Sequence, residues 1–391
     1  MLAKRIAALL PVLALLWLVP AAAAGGDSTS LGAESEPLPY ADRFDGKDWD
    51  TVMEEFLTQH GVNAARLGLA YYNTVTGEEH EINGDVYRYA ASVYKLPLNM
   101  LYAERVCNGE MQMDDTIGDW TYAEAQRLSL ENSSNDISAM LSSHLGTRQQ
   151  YCEALAPFLA DDPDTLGEEY LFKCYVNQLT PAQILHALKL LYAAPDHYPN
   201  VLDHMLKAQQ SEYFCMKERR YPIAHKYGCL FGEDGAITVN DCGIVYTDDP
   251  ILLVMFTSNL PVAFTLMADY CTLMCDYTQY TRAVRLRDEA AAAQAAEEAE
   301  QARLEAEAKA AEAARAAEAE RARLEAEARA AEARAAEAER ARLEAASAPL
   351  KPDAAGRRFL IAAGAAAALS LIAAPIFWRR PNQSDHPEKC K

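Results

Sequence analysis

In Tyr89-Ala90-Ala91-Ser92-Val93-Tyr94-Lys95-Leu96-Pro97-Leu98, two residues capable of joint chemistry, Ser92 and Lys95, stand three positions apart. At the start of a helix that spacing puts both side chains on one side. An amine there can take the proton of a serine hydroxyl and make it a nucleophile. Leu96, Leu98, Leu101 and Tyr102 predict a helix over 95–106. Pro97 falls in its first turn, where a missing N–H costs nothing. A lone Ser-x-x-Lys occurs in many unrelated chains, so its neighbours must decide what it means.

Downstream, Ser133-Ser134-Asn135 stands at the entrance to a predicted helix, 133–145. Ser133 could relay a proton and Asn135 could hydrogen-bond a substrate amide; alone, the same residues read equally as a helix N-cap. Farther on, Lys226-Tyr227-Gly228-Cys229 lies on a predicted strand, 223–231. A lysine there supplies a positive field, and a glycine lets a ligand lie against the strand edge. The plain alternative is a strand lysine beside a bulge.

Around these motifs the patterning alternates between helix and strand. Helical spacing covers 50–60, strands are predicted at 66–74 and 79–82, and a further helix at 181–193. Strands at 237–246 and 251–258 follow, then a helix from 262 to about 286. Helices flanking a mostly antiparallel sheet, with an all-helical lobe, make an α+β domain over 46–287.

The three motifs occur in the order Ser-x-x-Lys, Ser-x-Asn, Lys-x-Gly, and the chain resembles the serine β-lactamase and penicillin-binding protein superfamily. Its class A β-lactamase branch is the nearer likeness, through Ala90-Ala91-Ser92 with Lys95-Leu96-Pro97, Ser133 through Leu145-Gly146, and Ala224-His225-Lys226 with Gly243-Ile244-Val245-Tyr246. The resemblance covers roughly 50–285. It implies that Ser92 is acylated by a β-lactam or by the acyl-D-Ala-D-Ala end of a peptidoglycan stem peptide, with Lys95 as activating base and Ser133 as proton shuttle. Asn135 would orient the substrate amide, Lys226 would attract its carboxylate beside Tyr227 and Gly228, and the N–H groups of Ser92 and Cys229 would form the oxyanion hole. No cofactor and no metal is implied.

Two departures bear on activity. Tyr227 replaces the small Thr or Ser usual in the third motif. The class A Glu-x-x-Leu-Asn segment ahead of a Thr-Pro is missing: Thr180-Pro181 is present, but Glu168-Glu169-Tyr170-Leu171-Phe172-Lys173 precedes it. Glu169 or Glu168 is the candidate deacylation base, each competing with an ordinary solvated carboxylate. Without such a base the acyl-enzyme persists, as suits a peptidase or a penicillin sensor. His225 reads as a packing or locally bonded residue.

The chain ends set the expected location. Lys4-Arg5, an apolar run from Ile6 to Val19 and Ala21–Ala24 have the layout of a secretory signal, residues 1–24. A linker is expected over 25–45. From 288 to 347 the chain is nearly all Ala, Glu, Arg, Leu, Lys and Gln, and Ala-Arg-Leu-Glu-Ala recurs at 302, 322 and 341. These strong helix formers predict a stiff single helix, about 85–90 Å long, with weak self-association through its alanine faces as a second reading. Phe359–Trp378 is an uncharged run of 20 residues between Arg357-Arg358 and Arg379-Arg380, the length of a transmembrane helix, leaving 379–391 as a short cytoplasmic tail. The expected protein is a single-pass cell-membrane protein with its catalytic domain outside. A net charge of −21 excludes a basic nucleic-acid footprint. Nine cysteines in an exported chain make disulfides plausible, Cys229 with Cys242 across the hairpin being one candidate pair.

Overall fold

The computed structural model describes residues 37–232 and 236–347. The predicted signal, the transmembrane run, the tail and Cys390 lie outside these residues. Among the described residues no helix is long and apolar enough to cross a membrane.

In chain order the elements are α1 (Ala41–Phe44), α2 (Trp49–Gln59), β1 (Leu67–Asn73), β2 (Glu79–Ile82), β3 (Arg88–Tyr89) and α3 (Lys95–Cys107). The helical lobe follows: β4 (Thr116–Ile117), β5 (Trp120–Thr121), α4 (Tyr122–Leu130), α5 (Asn135–His144), α6 (Arg148–Leu155), α7 (Gly167–Tyr175), β6 (Gln178–Leu179), α8 (Pro181–Ala193) and α9 (Val201–Met205). The chain then returns to the sheet as β7 (Ile223–Phe231), β8 (Ile237–Val245) and β9 (Ile251–Thr257) before α10 (Ala263–Ser347).

The main sheet has the order β2-β1-β9-β8-β7, with every neighbouring pair antiparallel. Central β9 is buried along its whole length, which explains its unbroken apolar sequence. Leu252, Val254 and Phe256 join the core shared with α3 and α8 on one face, while Ile251, Leu253 and Met255 join the core with α2 and the start of α10 on the other. The last strand, β7, carries the third motif and is the sheet's edge strand, buried from Ile223 to Gly228.

Four details depart from the sequence expectations. The predicted linker ends earlier than residue 45, because α1 packs Phe44 into the core. Helix 133–145 starts two residues later: Ser134 is its N-cap, and Ser133 precedes it with φ +54°. Cys229 does not face Cys242, since the register pairs Cys229 with Val239 and Lys226 with Cys242. Positions 226 and 229 are three apart, so the two sulfurs belong to opposite faces of the ribbon; the eight cysteines among the described residues are free thiols. Finally, the helix predicted to end near 286 is α10, whose bounds are Ala263–Ser347.

The chain divides into two compact units, the second beginning at Glu300. Its described part, 300–347, is helical and exposed throughout, Leu304, Leu324 and Leu343 included. Arg303 pairs with Glu300 and Glu307, and Arg323 with Glu320 and Glu327, three or four residues apart. Each such pair adds a few tenths of a kcal/mol to helices that bury nothing.

Candidate active site

The turn that presents Ser92 is pinned from two sides. Strand β3 pairs with β6, so Tyr89 lies opposite Gln178. Just before β6, Asn177 sits in the left-handed region at φ +57°, accepts the Ala90 amide at 2.8 Å through its carbonyl and donates its side-chain amide to the Ala91 carbonyl at 3.0 Å. From the other side Asn240 on β8 donates to the Tyr89 carbonyl at 2.7 Å and accepts the Thr257 amide at 3.0 Å. These bonds hold Ala91 at φ +48°, a conformation that costs a non-glycine residue on the order of 1–3 kcal/mol. A short 3₁₀ turn, Ala91–Tyr94, then runs into α3.

Gly228 closes the site from the sheet edge. A β-carbon there would lie 2.4 Å from the Ser92 amide nitrogen, 3.0 Å from the Ala91 β-carbon and 3.1 Å from the Ser92 α-carbon. Only glycine lets β7 approach the Ser92 backbone so closely, and this contact brings the main chain of 228–229 beside that of Ser92.

Two lysine side chains from different motifs converge on one hydroxyl, that of Ser133. Lys95, fully buried, donates to the Ser133 carbonyl at 2.6 Å, to Asn135 Oδ1 at 2.8 Å and to Ser133 Oγ at 3.3 Å. Lys226, also fully buried, donates to Ser133 Oγ at 2.9 Å and to the Tyr227 carbonyl at 2.7 Å. Ser133 Oγ is thus a bridge between two ammonium groups, and the left-handed backbone at Ser133 places it there. Burial pulls Lys95 down to about 8. Burial and then the neighbouring Lys95 charge pull Lys226 down to about 7. An amine so placed loses its proton close to neutrality, the range in which it serves as a base.

Tyr227 does not offer its hydroxyl to the site. The ring is buried, stacked on Tyr213 at 4.6 Å, and its hydroxyl donates to the Glu131 carbonyl at 3.4 Å. Glu168 and Glu169 are exposed on α7 and hydrogen-bond to none of Ser92, Lys95, Ser133 or Lys226. A cavity of about 580 Å³ opens beside the Ser92 turn, lined among others by Tyr89, Tyr94 and Asn177, and no carboxylate lines it. Among the described residues no cluster of His, Cys, Asp or Glu is arranged to hold a metal ion.

Sequence reading missed the residues that support the motifs. Asn177 and Asn240 are ordinary polar residues until the β3–β6 pairing and the β8 register bring them to the Ser92 turn. His225, read as locally bonded, is a buried ion-pair partner: its Nδ1 donates to Asp241 Oδ2 at 2.8 Å and its Nε2 to the Ala208 carbonyl at 2.8 Å. Burial opposes its charge, but the Asp241 carboxylate prevails and raises the imidazole to about 10. Asp241 also accepts the amides of Phe214 and Cys242, and its negative charge favours the protonated form of Lys226.

A profile of the β-lactamase enzyme family matches residues 51–140, the part that carries Ser92, Lys95, Ser133 and Asn135. No curated protein sequence matches the chain significantly. Among solved structures, the TLA-1 extended-spectrum β-lactamase is similar at 15% identity, with 60% of this chain and 100% of that one covered and a TM-score of 0.50. A β-lactamase from Chitinophaga pinensis shares 17% identity over 59% of this chain and 98% of its own, with a TM-score of 0.48. The protein PBP-A shares 17% over 60% and 97%, with a TM-score of 0.49. At these identities the structural likeness concerns the fold.

Proposed function

We propose, on the premise that the globular domain is a member of the serine β-lactamase and penicillin-binding protein superfamily, that it is a serine acyl-transfer hydrolase whose acyl-enzyme forms readily and breaks down slowly. The single observation that carries this is Ser133 Oγ bridging Lys95 and Lys226 beside the pinned Ser92 turn. In the reaction, Ser92 Oγ attacks the carbonyl of a β-lactam or of an acyl-D-Ala-D-Ala peptide while neutral Lys95 accepts the hydroxyl proton. The oxyanion takes hydrogen bonds from the Ser92 and Cys229 amides, which the Gly228 contact brings close. Ser133 passes a proton to the departing nitrogen, and Lys226 holds the substrate carboxylate with its positive charge. Asn135 orients the substrate amide.

Slow release is supported by Glu168 and Glu169, the two candidate bases, being exposed on α7 and hydrogen-bonded to none of Ser92, Lys95, Ser133 or Lys226. That favours a D,D-peptidase or penicillin-sensing role over an efficient β-lactamase. We further propose that the domain works outside the cell membrane, exported by residues 1–24 and tethered through Phe359–Trp378, with 288–347 as a helical stalk. A second reading, a binding module that holds a wall component without turnover, draws on the buried Tyr227 ring where the family has a small hydroxyl.

A fluorescent penicillin incubated with the full-length protein in detergent tests the main reading. It should label wild type covalently and leave Ser92→Ala unlabelled, with a label lifetime of minutes or longer. An unlabelled wild type under conditions that label a control enzyme refutes the acylation step, and loss of label within seconds refutes slow release.

A further inference from the structure

The cavity beside the nucleophile has a charged far end that the acyl-transfer reaction does not use. Helix α5 leads into it: Asn135 opens the helix, Ala139 lies one turn on along the same face, and Ser142 and Ser143 lie about one turn further. Gly146 ends that wall, and Arg148 begins α6 immediately after the N-cap Thr147. Asn135 to Ser143 spans about 12 Å along the helix axis.

Arg148 supplies the lining's only formal charge, and among the described residues it makes no ion pair. Its guanidinium lies over the Tyr175 ring, 4.0 Å from the centroid. Arg148 is exposed, and no hydrogen bond among the described residues engages its guanidinium, which leaves the N–H groups able to fork onto a carboxylate. Tyr89, Tyr94 and Tyr151 give the rest of the lining broad apolar faces with polar tips. A chain laid along α5 from its Asn135 end into this space would set methylene groups against the tyrosines and its end at Arg148.

We propose that this cavity is a subsite for the acyl side of the substrate, and that Arg148 selects acyl chains ending in a carboxylate. The proposal rests on the acylation of Ser92 set out above and adds the substrate class: two carboxylates, one at Lys226 on the leaving-group side and one at Arg148 on the acyl side. The side chain and free carboxylates of a peptidoglycan stem peptide have that chemistry.

Two penicillins made from one nucleus test it, one N-acylated with an octanoyl chain and the other with the same eight-carbon chain ending in a carboxylate. The second-order rate of Ser92 acylation is measured for each on the full-length protein, by competition with a fluorescent penicillin. Wild type should favour the carboxylated compound by about tenfold, as one charge-assisted pair allows. Arg148→Gln should bring that ratio to within about twofold of unity, and Arg148→Glu should turn it in favour of the octanoyl compound. Equal wild-type rates, or a preference that survives in Arg148→Gln, overturn the subsite while acylation stands. Failure of both compounds and of the fluorescent penicillin to label wild type overturns the acylation reading itself.

Discussion

Replacing Gly228 by alanine sets a methyl carbon 2.4 Å from the Ser92 amide nitrogen, where ordinary contact begins at 3.4 Å. Strand β7 and the nucleophile turn must then part by about 1 Å. Neither side gives easily, because the turn is held by Asn177 and Asn240 and β7 by its nine-residue ladder with β8. An oxyanion hole formed by the Ser92 and Cys229 amides loses one of its two contacts at that separation. Loss of one such donor lowers the rate about 10²–10³-fold, or roughly 3–4 kcal/mol of barrier. Strain from overpacking should cost about 1–3 kcal/mol of stability as well. Gly243→Ala is the matched control: its methyl would meet the Ala224 carbonyl at 2.6 Å, inside the sheet and away from Ser92. Stopped-flow acylation by a fluorescent penicillin, corrected for folded fraction from thermal melts, separates the two effects. Acylation of Gly228→Ala within fivefold of wild type, or an equal fall in Gly243→Ala, would refute the assignment of Gly228 to the nucleophile's backbone.

Acylation should rise with pH through about 7 to 8, because Lys95 and Lys226 lie near those values and titrate as a pair. One proton must leave the pair before an anionic substrate can draw the remaining charge to Lys226 and free Lys95 as base; a rate constant flat from pH 6 to 9 contradicts this. Asp241→Asn should destabilise the domain by about 3–5 kcal/mol near pH 6, since it removes the partner of a buried charged imidazole. His225 is raised from 6.5 to about 10, so its contribution is full below 6.5 and lost as pH rises through 10. Chemical denaturation of wild type should therefore show an alkaline decline between those limits that Asp241→Asn lacks, and parallel curves would be the contrary result. The double substitution Glu168→Gln with Glu169→Gln should leave the lifetime of the penicillin label within about twofold of wild type, both side chains being exposed on α7; a lifetime lengthened tenfold would restore one of them as the deacylation base.

The motif residues that meet at this site were legible in the sequence because their placement rests on short-range spacing. Ser92 and Lys95 are placed by one helical turn, Asn135 by a helix start, and Lys226 and Gly228 by alternation along one strand. The same local rules read the continuous helix after 288 from its composition, with no tertiary contact needed. What tertiary structure decided is everything that depends on register or on a left-handed backbone. Ser133 reaches between the two lysines because its residue stands outside α5 at positive φ, which no periodicity signals. Asn177 and Asn240 matter only through the strands that carry them to Ala91 and Tyr89, more than 80 residues away in sequence. Cys229 was moved away from Cys242 by where the hairpin turns, since a register shift of a residue or two changes every cross-strand neighbour. The exposure of Glu168 and Glu169 was decided in the same way: sequence could place a carboxylate near the Thr-Pro, but only packing determines that both face water on α7.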